Sequence, residues 1–179
     1  MADFNQILNP GDIDNGIINA VIEIPAGSSN KIEWNREMAV MQLNRVEPAI
    51  FAKPTNYGFI PQTLDEDGDE LDVLILTDEP LPTGLFLEAK VIGVMKFEDD
   101  GDVDDKIIAV PDDSFGAKCE ITSLNHIPHS KIYQITHHFN NYKNHKTPGC
   151  TVVKGWGDYD EAIEIIRKAI KRWDDKISS

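Results

Sequence analysis

Asp65-Glu66-Asp67-Gly68-Asp69-Glu70-Leu71-Asp72-Val73-Leu74-Ile75-Leu76 sets a turn crowded with carboxylates directly before a short apolar run. In an extended chain Val73 and Ile75 point to one side and Leu74 and Leu76 to the other, so this strand is buried on both faces. Such a strand needs sheet neighbours and a covering layer. Upstream, residues 17–25 are apolar and β-branched and stop at Pro25, Ala26 and Gly27, a strand followed by a turn. Residues 31–35, 38–45, 84–97 and 106–110 read as further strands, with Met38, Val40 and Gln42 alternating against Ala39, Met41 and Leu43. Short strands joined by Gly and Pro turns predict a barrel or a sandwich.

Beyond Pro111 the pattern changes. Residues 130–145 contain neither Gly nor Pro, and Ile132, Ile135, His138/Phe139 and Tyr142 recur at helical spacing. Residues 158–176 draw an apolar stripe through Ala162, Ile163, Ile166, Ala169, Ile170 and Trp173, continued by Ile177. Asp158, Asp160 and Glu161 lead this helix and Lys168, Lys171 and Arg172 follow toward its end, the order the helix dipole favours. Strands first and helices afterwards predict an α+β fold, and 179 residues that are 41% hydrophobic fit one domain spanning 1–179.

The formal charge is −14, and it is concentrated: between Asp65 and Asp113 there are 17 acidic residues against Lys90, Lys96 and Lys106. The remainder is balanced. No basic face is available to displace phosphate counterions, which argues against nucleic acid and against anionic membranes as partners. The first ten residues carry Asp3 but no Lys or Arg, unlike a secretory signal or transit peptide, and no stretch approaches the ~20 apolar residues of a membrane span. A cytoplasmic protein is the expectation, and Cys119 and Cys150 read as two ordinary free thiols.

Asp65, Asp67 and Asp69 have the alternation of an EF-hand, but Glu70 stands where its Gly belongs and Leu76 where its bidentate Glu belongs. A solvated loop and a hard-metal site therefore both fit this segment by itself. A second acidic segment, Glu98-Asp99-Asp100-Gly101-Asp102-Val103-Asp104-Asp105-Lys106, lies between two predicted strands. Should those strands neighbour residues 71–76, both loops leave the sheet at one end and face each other, and cations such as Mg²⁺ would be needed between them. Lys31, Arg45, Tyr142 and Lys143 are candidates for phosphate contact.

These residues together resemble the soluble family I inorganic pyrophosphatases of bacterial type. The run Asp67-Gly68-Asp69-Glu70-Leu71-Asp72-Val73 is similar to that family's signature of three aspartates before a strand. The likeness extends through Val21-Ile22-Glu23-Ile24-Pro25, Lys31-Ile32-Glu33, Arg45, Asn56-Tyr57-Gly58-Phe59-Ile60, Asp99, Asp104-Asp105-Lys106-Ile107-Ile108-Ala109-Val110-Pro111, Tyr142-Lys143 and Gly155-Trp156, nearly the whole chain. It implies a small closed, OB-like β-barrel of about five strands with the C-terminal helices packed on it. It also implies hydrolysis of pyrophosphate with several Mg²⁺ ions, for which Mn²⁺ or Zn²⁺ could substitute.

Residue by residue, the resemblance implies that Asp67, Asp72 and Asp104 bind the tightest metal, with Asp72 shared with a second. Asp99 and Asp104 would hold a further one and Glu23 would act on metal-bound water. Asp69 would take the proton of the attacking water. Lys31, Arg45, Tyr142 and Lys143 would bind the phosphates, with Lys106, Tyr57 and Glu33 supporting them. Bacterial relatives are hexamers, and His137 matches a subunit-contact position, while Asn141 stands where another His is often found. All five histidines lie between His126 and His145 without the ligand spacing of a zinc site, which points to packing or subunit contact. One departure is Lys53, where many relatives carry Tyr before the Pro. An ammonium cannot orient a base as a phenol can but suits a phosphate contact, and Lys53 is left out of the catalytic set. A cation buffer using the same acids, or a hydrolase of nucleotides or longer polyphosphates, are the other readings. A buffer gains nothing from Lys31, Arg45 and Lys143.

Overall fold

The computed structural model describes residues 3–112 and 120–178. Cys119 lies outside them; Cys150 is a free thiol. Near the N-terminus come α1 (Phe4–Ile7) and then β1 (Ile17–Ile24), followed by the hairpin of β2 (Asn30–Asn35) and β3 (Val40–Val46) and by the short β4 (Asn56–Phe59). The acidic turn leads into β5 (Asp72–Ile75), after which come β6 (Phe86–Asp99), β7 (Asp102–Val103) and β8 (Lys106–Pro111). The chain finishes with α2 (His129–Asn141), β9 (Thr151–Gly157) and α3 (Tyr159–Ile177).

β5 is flanked by β4, antiparallel, and β8, parallel; β8 pairs with β6, β6 with β1 and β1 with β4, so five strands close into a ring. β6 makes this closure possible because its 14 residues span several partners. Its first part pairs with β1, its middle with β8, and its last part with β7 and β9. The burial expected for β5 is present on both sides. Val73 and Ile75 join Ile107, Ala109 and Ile22 in a core completed by Ala162, Ile163, Ile166 and Ala169 of α3. Leu74 and Leu76 join Ile108, Val110 and Met95 in a second core, against Ile135 and Phe139 of α2. The C-terminal helices thus pack on the ring, as an α+β fold requires. α3 begins with a capping box, Asp158 and Glu161 each accepting from the other's backbone N–H.

Several details differ from the periodicity reading, which also lacks α1, β7 and β9. The helix expected over 130–145 ends at Asn141, which leaves Tyr142 and Lys143 in the following turn. β3 starts at Val40, since Ala39 takes a positive φ of 52° in the hairpin turn. β4 escapes a pattern search because it has only four residues, one of them Gly58. That glycine is required: a Cβ there would lie 2.0 Å from the Val21 carbonyl oxygen of β1.

Because β5 and β8 run parallel with Val73 opposite Ile107, their N-terminal ends lie side by side. The acidic turn before β5 and the acidic loop before β8 therefore emerge at the same end of the ring.

Candidate active site

At that end lies a cleft of about 280 Å³. The β1–β4 register slips between Ile22 and Ile24, leaving Glu23 as a bulged residue whose side chain lines the cleft. Glu23 is 8% exposed and accepts a 2.6 Å hydrogen bond from the Trp34 backbone N–H. On the β2–β3 hairpin Lys31 stands opposite Arg45, and Lys31 Nζ pairs with Glu33 at 2.6 Å. β4 contributes Tyr57, whose hydroxyl donates to Asp72.

The acidic turn is compact. Gly68 has φ +95°, a left-handed conformation, and Asp65 N–H donates to the Asp69 carbonyl at 2.8 Å, with Asp69 N–H on Asp67 Oδ1 at 3.1 Å. Asp67, Asp69 and Asp72 line the cleft from this side, and Asp99 and Asp104 line it from the other loop. Lys106, at the start of β8 and 2% exposed, donates to both Asp72 and Asp104. After α2, Lys143 Nζ lies 2.7 Å from Asp99 Oδ1 and the Tyr142 hydroxyl 3.5 Å from Asp99 Oδ2.

Twelve of the thirteen residues singled out from the sequence line this one cleft. Arg45 instead lines an adjoining small recess with Lys31, Glu47 and Tyr142, and its guanidinium pairs with Glu47. Three further charged residues of the cleft stand outside the site set read from the sequence: Lys53, which was weighed and left out, and Asp65 and Glu70. Glu70 receives Arg36 through two bonds of 2.9 and 2.8 Å and Asn5 Nδ2 at 2.6 Å. Asp65 receives Arg172 of α3 at 3.1 Å. No local signal marks these pairings, whose partners are up to 107 residues away.

Burial first, and then neighbouring acids, shift the protonation of three of these carboxyls. Burial raises the Glu23 carboxyl to about 8 against the Trp34 N–H, with Asp72, Glu33 and Glu70 adding to the rise. Burial likewise raises Asp69, helped by Asp67 and Glu70, and raises Asp104 in spite of Lys106. Burial would lower the Lys106 ammonium, but Asp72 and Asp104 outweigh it and keep the group protonated. On the aromatic wall, burial drives His138 down to about 3, so its neutral ring stacks on Tyr142 with centroids 5.5 Å apart.

The donor set is one of carboxylate oxygens, and it fits a hard divalent cation. Among the described residues, the trio of candidate ligand atoms within 4.8 Å of one another is Asp99, Asp100 and Cys150. Asp67, Asp72 and Asp104 are less tightly gathered, with the Lys106 ammonium between the last two. No histidine joins such a group among the described residues.

Comparison with known proteins agrees with this arrangement. The sequence profile described as "Inorganic pyrophosphatase" matches residues 20–174. The chain is 67% identical over 176 residues to the inorganic pyrophosphatase of Haemophilus influenzae, covering 98% of this chain and 100% of that one. A crystal structure of an inorganic pyrophosphatase from Neisseria gonorrhoeae matches with a TM-score of 0.92 at 63% identity, over 96% of this chain and 99% of the other. The inorganic pyrophosphatase from Thermus thermophilus matches with a TM-score of 0.85 at 36% identity, over 93% and 97% of the two chains. With the carboxylate cleft, the five-stranded ring and these matches taken together, the chain belongs to the inorganic pyrophosphatase family, of the bacterial family I type.

Proposed function

We propose that the whole chain works as a single cytoplasmic domain that hydrolyses inorganic pyrophosphate to two orthophosphates with Mg²⁺. The carrying observation is that Asp67, Asp69, Asp72, Asp99 and Asp104 share one cleft with Lys31, Lys106 and Lys143 in a chain of this family. Asp67, Asp72 and Asp104 would hold the tightest Mg²⁺, Asp72 would be shared with a second, and Asp99 and Asp104 would hold a further one. Mn²⁺ or Zn²⁺ could take their place. When bound, the cations neutralise the phosphate charge and make the attacking water more acidic.

The protein's own groups do the rest. Asp69 accepts the water proton, a bond forms from the water oxygen to one phosphorus, and the bridging P–O bond breaks with its electron pair leaving on the second phosphate. Glu23 orders water at the inner wall. Lys31, Arg45, Tyr142 and Lys143 bind the phosphoryl oxygens; Lys143 pairs with Asp99, and its ammonium would be free for phosphate if that carboxylate held a cation. Lys106 and Tyr57 hold Asp72, and Glu33 holds Lys31.

The test is phosphate release from pyrophosphate, ATP and tripolyphosphate in Mg²⁺ at neutral to mildly alkaline pH. Fast release from pyrophosphate alone is expected; none from it would refute the reading, and equal release from all three would make the enzyme a general phosphoanhydride hydrolase. We also propose a homohexamer, with His137 and Asn141 at a subunit contact, which a light-scattering mass of one chain would exclude. No nucleic acid or membrane partner is proposed; among the described residues no helix is long and apolar enough to cross a membrane.

A further inference from the structure

The roles above leave out one cation of the cleft. Lys53 is held by its backbone on both sides: its N–H donates to the Ser28 carbonyl at 2.9 Å and its own carbonyl accepts from Gly27 N–H at 2.8 Å. The next carbonyl, that of Pro54, accepts from Lys131 of α2 at 2.6 Å. From this rigid base the side chain reaches the wall shared by the carboxylate cleft and the recess of Lys31, Arg45 and Glu47. There its Nζ lies 4.5, 5.3 and 5.1 Å from the ring centroids of Tyr57, Phe139 and Tyr142.

The other cations lining the cleft have acid partners: Lys31 has Glu33, Lys106 has Asp72 and Asp104, and Lys143 has Asp99. Lys53 has no carboxylate within ion-pair distance among the described residues. Even a half-buried ammonium without a counter-charge is costly, and aromatic faces recover only part of that cost. The fold accepts the cost at one point, on the border between the acids and the bases.

We infer that Lys53 is a substrate-binding residue that sets affinity for the phosphoryl group, its missing charge partner being an oxyanion of the substrate. This rests on the pyrophosphate reading above. The groups facing Lys53 are Lys106 of β8, Lys31 of β2, Asp72 of β5, Tyr57 of β4, Glu47 after β3, His138 of α2 and Tyr142. Burial, then the like charges of Lys106 and Lys31, push the ammonium down to about 8 against the pull of Asp72 and Glu47. A bound oxyanion raises that value. Anion affinity is therefore full below about pH 8 and falls above it, because binding must then take up a proton.

The experiment compares wild type, Lys53→Met and Lys53→Arg from about pH 7 to about pH 9.5, measuring calorimetric binding of methylenediphosphonate in saturating Mg²⁺ and the KM and kcat for pyrophosphate. Lys53→Met is expected to weaken binding roughly tenfold or more at the low end and to raise KM more than it lowers kcat. Wild-type affinity should fall by up to about tenfold per pH unit above about pH 8, whereas Lys53→Arg, which stays charged, should keep its affinity there. A Met variant with unchanged affinity and an unchanged alkaline limb overturns the inference, and so does an equal loss in Met and Arg, which would assign Lys53 to packing. Diphosphonate binding that depends on Lys53 without any pyrophosphate hydrolysis would sink the hydrolase reading and leave the anion role standing. Hydrolysis indifferent to Lys53→Met would do the reverse.

Discussion

At the scale of single residues the cleft works by competition for carboxylates. Asp69 lines the cleft, and its backbone N–H is tied to Asp67. Asp72 is shared by Tyr57 and Lys106. Their roles should separate on substitution. Asp69→Asn is expected to lower kcat on the order of 10²–10⁴-fold with little change in Mg²⁺ affinity, whereas Asp72→Asn should weaken both. Equal, small effects on kcat and on a Mg²⁺ titration would refute this assignment. Lys106→Met removes a 2% exposed cation from between Asp72 and Asp104, leaving two carboxylates facing each other. Urea unfolding in EDTA should lose about 3 kcal/mol, and saturating Mg²⁺ should restore much of it by substituting for the lost charge. A loss independent of Mg²⁺ would instead assign the lysine to packing. Glu23 and Lys53 show why residue type alone is insufficient here. One is raised and the other lowered, both first of all by burial, which no property of Glu or Lys in a sequence announces.

Elements matter through what they carry to the cleft. The acidic turn is fastened at both ends, with Asp65 held by Arg172 of α3 and Glu70 by Arg36 of the β2–β3 turn and Asn5 of α1. Arg36→Ala leaves Glu70 buried with Asn5 as its one remaining side-chain donor among the described residues. A stability loss of about 2 kcal/mol in urea unfolding is expected, together with a larger fall in kcat than in substrate affinity, since the loosened turn bears Asp69 and Asp72. Arg36→Lys should recover only part of both, because an ammonium cannot reproduce the two-point contact. Wild-type stability and kcat in Arg36→Ala would contradict the fastening role. The elements most legible in the sequence were β5 and α3, where burial on two faces and a continuous apolar stripe leave few alternatives. β4 and β9 were not, since Gly58 in one and Gly155 and Gly157 in the other interrupt any hydrophobic pattern. Gly58 and Gly157 serve close approach instead, a Cβ at Gly157 meeting Glu161 Oε2 at 2.1 Å, whereas Gly155 takes a φ of +150° with open space around it.

For the whole molecule, the formal charge of −14 has a structural address, because two acidic loops separated along the chain meet at one end of the ring. Their mutual repulsion would make bound divalent cations a source of stability as well as of the proposed chemistry. Mg²⁺ at about 100 times its dissociation constant should stabilise the fold by about 2.7 kcal/mol per independent site and raise the thermal midpoint, while Na⁺ at equal ionic strength should not. An identical midpoint in Mg²⁺ and EDTA would count against a metal-binding cleft. The sequence by itself determined a strand-rich first part with the long helices after it, the two-sided burial of β5, the acidic loops and, through an ordered series of motifs, the family, though not α1 ahead of the strands or β9 between the two helices. These are local patterns, or matches spread along the chain, and can be read without knowing what touches what. Only the tertiary structure decided that β6 closes the ring onto β1, that Arg36 and Asn5 hold Glu70, and that Lys53 lies among three rings with no carboxylate at ion-pair distance among the described residues. Each of these depends on desolvation and pairing between residues far apart in the chain, and those energies exist only once the ring has formed.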